Sequence, residues 1–170
     1  MGRILSRIWQ LQINHTIKYM KIPQHLVLAV LSFCFATALT AAPEAKTIAI
    51  SAFDTMKYSV SKIEASPGQK ITVVLTNGGN VPKIAMGHNW ILLKAGVDPV
   101  KYATAAMAAK NEDYQPKSMS DKVLASIPLL GPKETGKTTF TAPTTPGSYA
   151  FFCSFPAHTQ AGMKGLLIVK

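Results

Sequence analysis

The stretch Ser148-Tyr-Ala-Phe-Phe-Cys153-Ser-Phe-Pro-Ala-His158-Thr-Gln-Ala-Gly-Met163-Lys-Gly-Leu-Leu-Ile-Val-Lys170 closes the chain. It reads as two β-strands, Ser148 to Cys153 and Lys164 to Lys170, joined by a loop. Pro146-Gly147 supplies a tight turn just before the first strand. The loop has the form C-x4-H-x4-M, so a thiol, an imidazole and a thioether leave one connection at regular spacing and are able to converge on one point.

Upstream, short runs with the same character recur. Lys46 to Ser51 and Lys70 to Thr76 alternate apolar with polar or small residues, Asn89 to Leu93 is apolar, and Lys137 to Thr141 is rich in threonine. Pro67-Gly68 and Asn77-Gly-Gly-Asn80 punctuate them. Several short strands between turn signals predict an all-β fold, an antiparallel Greek-key β-sandwich. One stretch departs from the pattern. Asp98-Pro99 resembles an N-cap followed by proline at the first helical position, and Val100 to Lys110 is alanine-rich. It predicts one short helical excursion, followed by an irregular loop from Pro116 to Ile127.

The N-terminal 42 residues have a different composition. Lys18 and Lys21 precede the apolar run Leu26 to Ala42, which ends in small residues with cleavage spacing at Ala36-Thr-Ala38 and Leu39-Thr-Ala41. That is the pattern of a secretory signal peptide, so residues 1–42 are expected to be a leader and 43–170 the working domain. Met20-Lys21-Ile-Pro begins a complete signal peptide by itself. Residues 1–19 are therefore either an upstream extension from a misassigned start or a long basic leader segment. The membrane is a partner only if the leader stays uncleaved.

From Pro43 onward there are 14 Lys, no Arg and 8 Asp plus Glu, a net charge of 14 − 8 = +6. The lysines are scattered, without the clustered bases and interleaved aromatics of a nucleic-acid surface. The same segment keeps one cysteine, Cys153, and two histidines, His88 and His158. A lone thiol in an exported chain has no internal disulfide partner and needs another use.

His88 opens the Asn89 to Leu93 strand. With Cys153, His158 and Met163 it completes one thiolate, two imidazoles and one thioether, the donors of a trigonal copper site with a weak axial ligand. Structural zinc takes four strong Cys or His ligands, and only three exist here. A catalytic zinc would want a neighbouring carboxylate as base, and the segment from Phe151 to Lys170 has none. A Cys–His nucleophilic enzyme would need an oxyanion hole, for which no signature is present. The expectation is a redox binding protein and not an enzyme.

The segments Val81-Pro-Lys-Ile-Ala-Met86-Gly87-His88-Asn89-Trp90 and Tyr149 to Gly165 resemble the azurin and auracyanin branch of the cupredoxins, and the resemblance runs from Lys46 to Lys170. The four-residue gap between His158 and Met163 is closer to auracyanin. The resemblance implies a type I blue copper centre with His88, Cys153 and His158 in the equatorial plane. Met163 would be the axial ligand, and the Gly87 carbonyl a remote fifth contact. It further implies that Asn89 hydrogen-bonds the ligand loop and that the Phe155 amide donates to the cysteine sulfur. His158 would be the exposed edge for electron entry, ringed by Met86, Pro156 and Ala157, where redox partners dock. Ala157 stands where many relatives have glycine. The function implied is that of a periplasmic one-electron carrier cycling Cu(I)/Cu(II) between redox proteins; the alternative is a copper-handling protein without turnover.

Overall fold

The computed structural model describes residues 43–170; the expected leader, 1–42, lies outside the described residues. Nine strands form two sheets. In chain order they are β1 (Lys46–Phe53), β2 (Lys57–Tyr58), β3 (Lys62–Ala65), β4 (Lys70–Asn77), β5 (His88–Leu93), β6 (Val123–Leu130), β7 (Thr135–Thr141), β8 (Gly147–Phe152) and β9 (Lys164–Val169). One sheet has the order β2-β1-β4-β7 and the other β3-β9-β8-β5-β6. Most connections switch sheets, which makes a sandwich with its core between the layers.

The alternating sequence of β4 shows why the layers stick. Ile71, Val73 and Leu75 point inward with no exposed surface, while Lys70, Thr72 and Val74 lie on the opposite face. Each such buried aliphatic side chain contributes about 1.5–3 kcal/mol relative to exposure. β5 is buried along its whole length because β8 and β6 flank it. Its Trp90 ring lies 5.6 Å from Phe151 in its own sheet and 6.1 Å from Phe140 in the facing one, joining the layers. Tyr149 donates its hydroxyl to the Thr145 carbonyl at 2.7 Å and pins the turn before β8.

The structure corrects the sequence reading in three places. The sandwich is not purely antiparallel: β1 runs parallel to β4, and β3 parallel to β9. The predicted loop from Pro116 to Ile127 includes the first half of strand β6. Pro128 masks that strand in the sequence, and it is tolerated because β6 is the sheet edge, where a missing N–H leaves no neighbour unbonded. Short strands β2 and β3 were also absent from the expectation; two and four residues carry too little periodicity to read.

The helical excursion is present as α2 (Pro99–Ala106), preceded in the chain by the one-turn helix α1 (Lys83–Met86). The Asp98 side chain caps α2 by accepting from the Val100 and Lys101 amides at 2.8 and 3.4 Å. Tyr102, Ala103 and Ala106 form its buried face, and the Tyr102 ring meets Phe152 edge-on at 5.5 Å. No helix among the described residues is long and apolar enough to cross a membrane.

Candidate metal centre

Two segments build the site. The first is the α1–β5 junction. Pro82 opens α1, and the Ala85 and Met86 amides both donate to its carbonyl. The helix stops at Gly87, whose φ of −66° and ψ of 151° turn the chain into extended structure. A Cβ at Gly87 would sit 2.8 Å from both Leu129 Cγ and the Lys83 carbonyl, so only glycine fits there. His88 follows as the first residue of β5, fully buried.

The second segment is the loop between β8 and β9. It folds on itself through backbone bonds: the Cys153 amide donates to the Met163 carbonyl at 3.1 Å, and the Met163 amide to the His158 carbonyl at 2.9 Å. The buried Thr159 hydroxyl donates to the Cys153 carbonyl at 2.7 Å. Cys153, His158 and Met163 are thereby fixed to one another through main-chain atoms, and all three are buried.

Asn89 joins the two segments. Its Oδ1 accepts from the Ser154 amide at 2.9 Å, and its Nδ2 donates to Ser154 Oγ at 2.8 Å and to the Asp113 carbonyl at 3.1 Å. Ser154 Oγ in turn donates to the Tyr114 carbonyl at 2.6 Å, which brings the segment after α2 into the same network.

The donor atoms of His88, Cys153 and His158 all lie within 4.8 Å of one another. Cys153 Sγ is 3.4 Å from His158 Nδ1, and the two imidazole centroids are 5.0 Å apart. Burial dominates the electrostatics. It pushes the Cys153 thiol up to about 12, with the backbone amides of Asn89 and Phe155 pulling the other way. Burial, helped by the neighbouring His88, brings His158 down to about 4; burial also lowers His88, against the opposing pull of Asp54 and the Phe53 carbonyl. Both rings are therefore neutral near pH 7, the form in which an imidazole nitrogen can coordinate a metal.

A metal ion suits this arrangement. Neither ring nitrogen of His88 has a hydrogen-bond partner, although both are buried. An orphaned buried polar atom costs about 1–3 kcal/mol, which coordination would relieve. Two neutral imidazoles and a thiolate are donors that favour copper.

One expectation about the surface does not hold. His158 is only 2% exposed, not an open edge. The Phe155 ring packs 4.7 Å from it, with half-buried Pro156 and exposed Ala157 preceding it in the loop. Ala157 has a φ of 71°, the left-handed region in which glycine is at ease. Sequence reasoning also passed over Ser154, Thr159 and Tyr114. Ser154 and Thr159 sit beside ligand-type residues in the chain, a signal that was readable; Tyr114 reaches the site only through the fold.

The chain matches the family model of copper binding proteins, plastocyanin/azurin family, over residues 45–170. It is 37% identical over 127 residues to azurin of Pseudomonas fluorescens biotype C, covering 72% of this chain and 97% of that protein. It is 38% identical over 100 residues to auracyanin-B of Chloroflexus aurantiacus, covering 58% of this chain and 42% of that one. Among solved structures, the dithionite-reduced auracyanin of Roseiflexus castenholzii superposes with a TM-score of 0.66 at 32% identity, covering 75% of this chain and 99% of that one.

Proposed function

Starting from the fact that the chain belongs to the plastocyanin/azurin family of copper-binding proteins, we propose that it is an exported one-electron carrier. His88, Cys153 and His158 would hold a single copper, with Met163 and the Gly87 carbonyl as weaker donors. The observation that carries the reading is the buried cluster of two neutral imidazoles and one thiol within 4.8 Å, two of its nitrogens lacking any partner. When bound, copper supplies a Cu(I)/Cu(II) couple at these donors.

The chain's own residues do the rest. The backbone bonds between Cys153, His158 and Met163, and the Asn89 brace to Ser154, hold the donors in one geometry for both oxidation states. Little rearrangement then accompanies gain or loss of an electron. The Phe155 and Asn89 amides stabilise negative charge on the sulfur. Phe155 and buried Met163 keep water from the donors. Redox proteins are the partners, and we place their docking at Met86, Pro156 and Ala157, the last two of which directly precede His158 in the loop. Export rests on the composition of residues 1–42, with the periplasm as destination.

The test is to load residues 43–170 with Cu(II) and record the visible spectrum. An intense thiolate-to-copper band that bleaches on reduction and is lost in Cys153→Ser supports the reading. A colourless copper complex, or tight zinc binding with hydrolase activity, overturns it.

A further inference from the structure

Strand β2 is only two residues long, yet each residue reaches a different half of the site. Tyr58 is half-buried and donates its hydroxyl to the Asn89 carbonyl, next to His88. Its ring lies 5.9 Å from Phe151, which precedes Cys153 by two positions. Lys57 donates its ammonium to the Ala161 carbonyl at 2.6 Å, inside the loop between His158 and Met163. The Lys57 and Ala161 positions are 104 residues apart in the chain. Gly162 leaves room for this contact: a Cβ there would sit 2.8 Å from Lys57 Nζ.

The platform beneath these two side chains is itself fastened. Tyr58 and Lys57 pair with Ala52 and Phe53 of β1 across a tight hairpin in which Met56 has a φ of 55°. The Met56 amide donates to the Phe53 carbonyl at 2.9 Å and the Ser59 amide to the Ser51 carbonyl at 2.8 Å. At the tip, Asp54 Oδ2 accepts from the Asn80 amide at 2.8 Å. The hairpin is thus tied to β1 and to the loop leading into α1, and its two donors project from a fixed base.

We infer that Lys57 and Tyr58 act as a two-point clamp that holds the two ligand-bearing segments against each other and biases the site toward its reduced form. The redox half of this inference rests on the copper reading above; the clamp half does not. Tyr58 steadies the Asn89–Trp90 peptide, and with it the preceding Asn89 amide that faces the Cys153 sulfur. Loss of that hydroxyl weakens the amide's hold and leaves more charge on the sulfur, which favours Cu(II). The phenol is a lasting donor, because burial, with Cys153 adding to the effect, keeps it protonated. Lys57 adds a positive charge beside the loop. Oxidation of the site adds another, so the ammonium disfavours the oxidised state. Both residues are positioning residues; neither is a ligand.

The experiment compares wild type with Tyr58→Phe, Lys57→Gln and Lys57→Arg. In the copper-loaded proteins, the Cu(I)/Cu(II) equilibrium should move roughly twofold to fivefold toward Cu(II) in Tyr58→Phe and in Lys57→Gln, as expected for loss of one partly exposed polar contact. Lys57→Arg should restore it, and the Lys57 effect should shrink in high salt. Tyr58→Phe should also shift the thiolate-to-copper band, which a merely stabilising residue would leave alone. In the metal-free proteins, hydrogen exchange at the Ser154 amide in Tyr58→Phe, and at the Gly162 and Met163 amides in Lys57→Gln, should quicken at least threefold while β4 stays protected.

Unchanged redox equilibrium, band and exchange in both variants overturn the clamp. Faster exchange in a wild-type background that forms no blue centre supports the clamp and sinks the copper reading. If Tyr58→Phe does not fold, the Lys57 pair decides: Lys57→Gln indistinguishable from wild type in both arms overturns the inference.

Discussion

Replacing Asn89 by alanine removes three hydrogen bonds at once, and the structure says what each loss leaves behind. The Ser154 amide loses its acceptor in a fully buried setting, which costs about 1–3 kcal/mol. The Asp113 carbonyl loses a donor at 3.1 Å but lies in a part-buried place, so its loss is nearer 1 kcal/mol. Ser154 Oγ also loses a donor, yet it keeps its own bond to the Tyr114 carbonyl and costs least. Together these predict a destabilisation of about 3–4 kcal/mol in the metal-free protein. For a domain of this size that lowers the melting temperature by roughly 10 °C. The assay is urea unfolding of metal-free Asn89→Ala and wild type, read as a fall in midpoint at constant slope. Ser154→Ala is the matched control. It leaves the backbone amide bonded to Asn89 Oδ1 and should cost only about 1–2 kcal/mol. A cost below about 1 kcal/mol for Asn89→Ala, or equal costs for the two variants, refutes the idea that the asparagine braces the two ligand segments.

Three other outcomes follow from the same packing and electrostatics. In Gly165→Ala the new methyl would meet Phe151 Cζ at 2.3 Å and the Ser61 carbonyl at 2.4 Å, so β9 must move off its neighbours. A loss of about 3 kcal/mol or more by thermal unfolding is expected, and a near-neutral result shows that the sheet yields more easily than its packing implies. Because the Cys153 thiol is raised to about 12 and both imidazoles are neutral at pH 7, Cu(II) binding should release one proton. Titration calorimetry in buffers of different ionisation enthalpy counts it, and zero or two protons contradicts the assignment. In the metal-free protein His158 falls from 6.5 to about 4 on folding. Its folded pKa is depressed, so the stability is complete above about pH 6.5 and lost as pH falls toward 4. Between pH 7 and pH 5 the loss from His158 is about 2 kcal/mol, measurable by urea unfolding and reduced in His158→Gln, where the depressed His88 keeps only its own share.

Much of this molecule is legible in one dimension because its donors are so few. Once residues 1–42 are set aside, one thiol and two imidazoles remain, and elimination leaves little choice. The strands β1, β4, β5, β7, β8 and β9 announce themselves by alternation, apolar runs and Gly/Pro turns, and the helix by Asp98-Pro99. What stayed hidden depends on contacts between distant segments. The strand character of β6 is concealed by Pro128, which is harmless only because nothing pairs on that side. The parallel β1–β4 and β3–β9 pairings depend on which sheet each connection enters, and no local pattern encodes that.

The candidate ligands were therefore readable in the sequence: residue type and elimination bring forward His88, Cys153 and His158, and spacing together with the family resemblance adds Met163. Tertiary structure decided everything that makes them a site. Burial keeps the thiol protonated and the imidazoles neutral in the metal-free chain. Asn89 and Ser154 lock together across 65 positions, and Lys57 reaches Ala161 across 104. It also closed His158 to 2% exposure, where resemblance alone had suggested an open edge. The physical reason is the same in each case. A donor's identity is a property of its residue, but its ionisation, orientation and access to solvent are set by neighbours that only folding brings near.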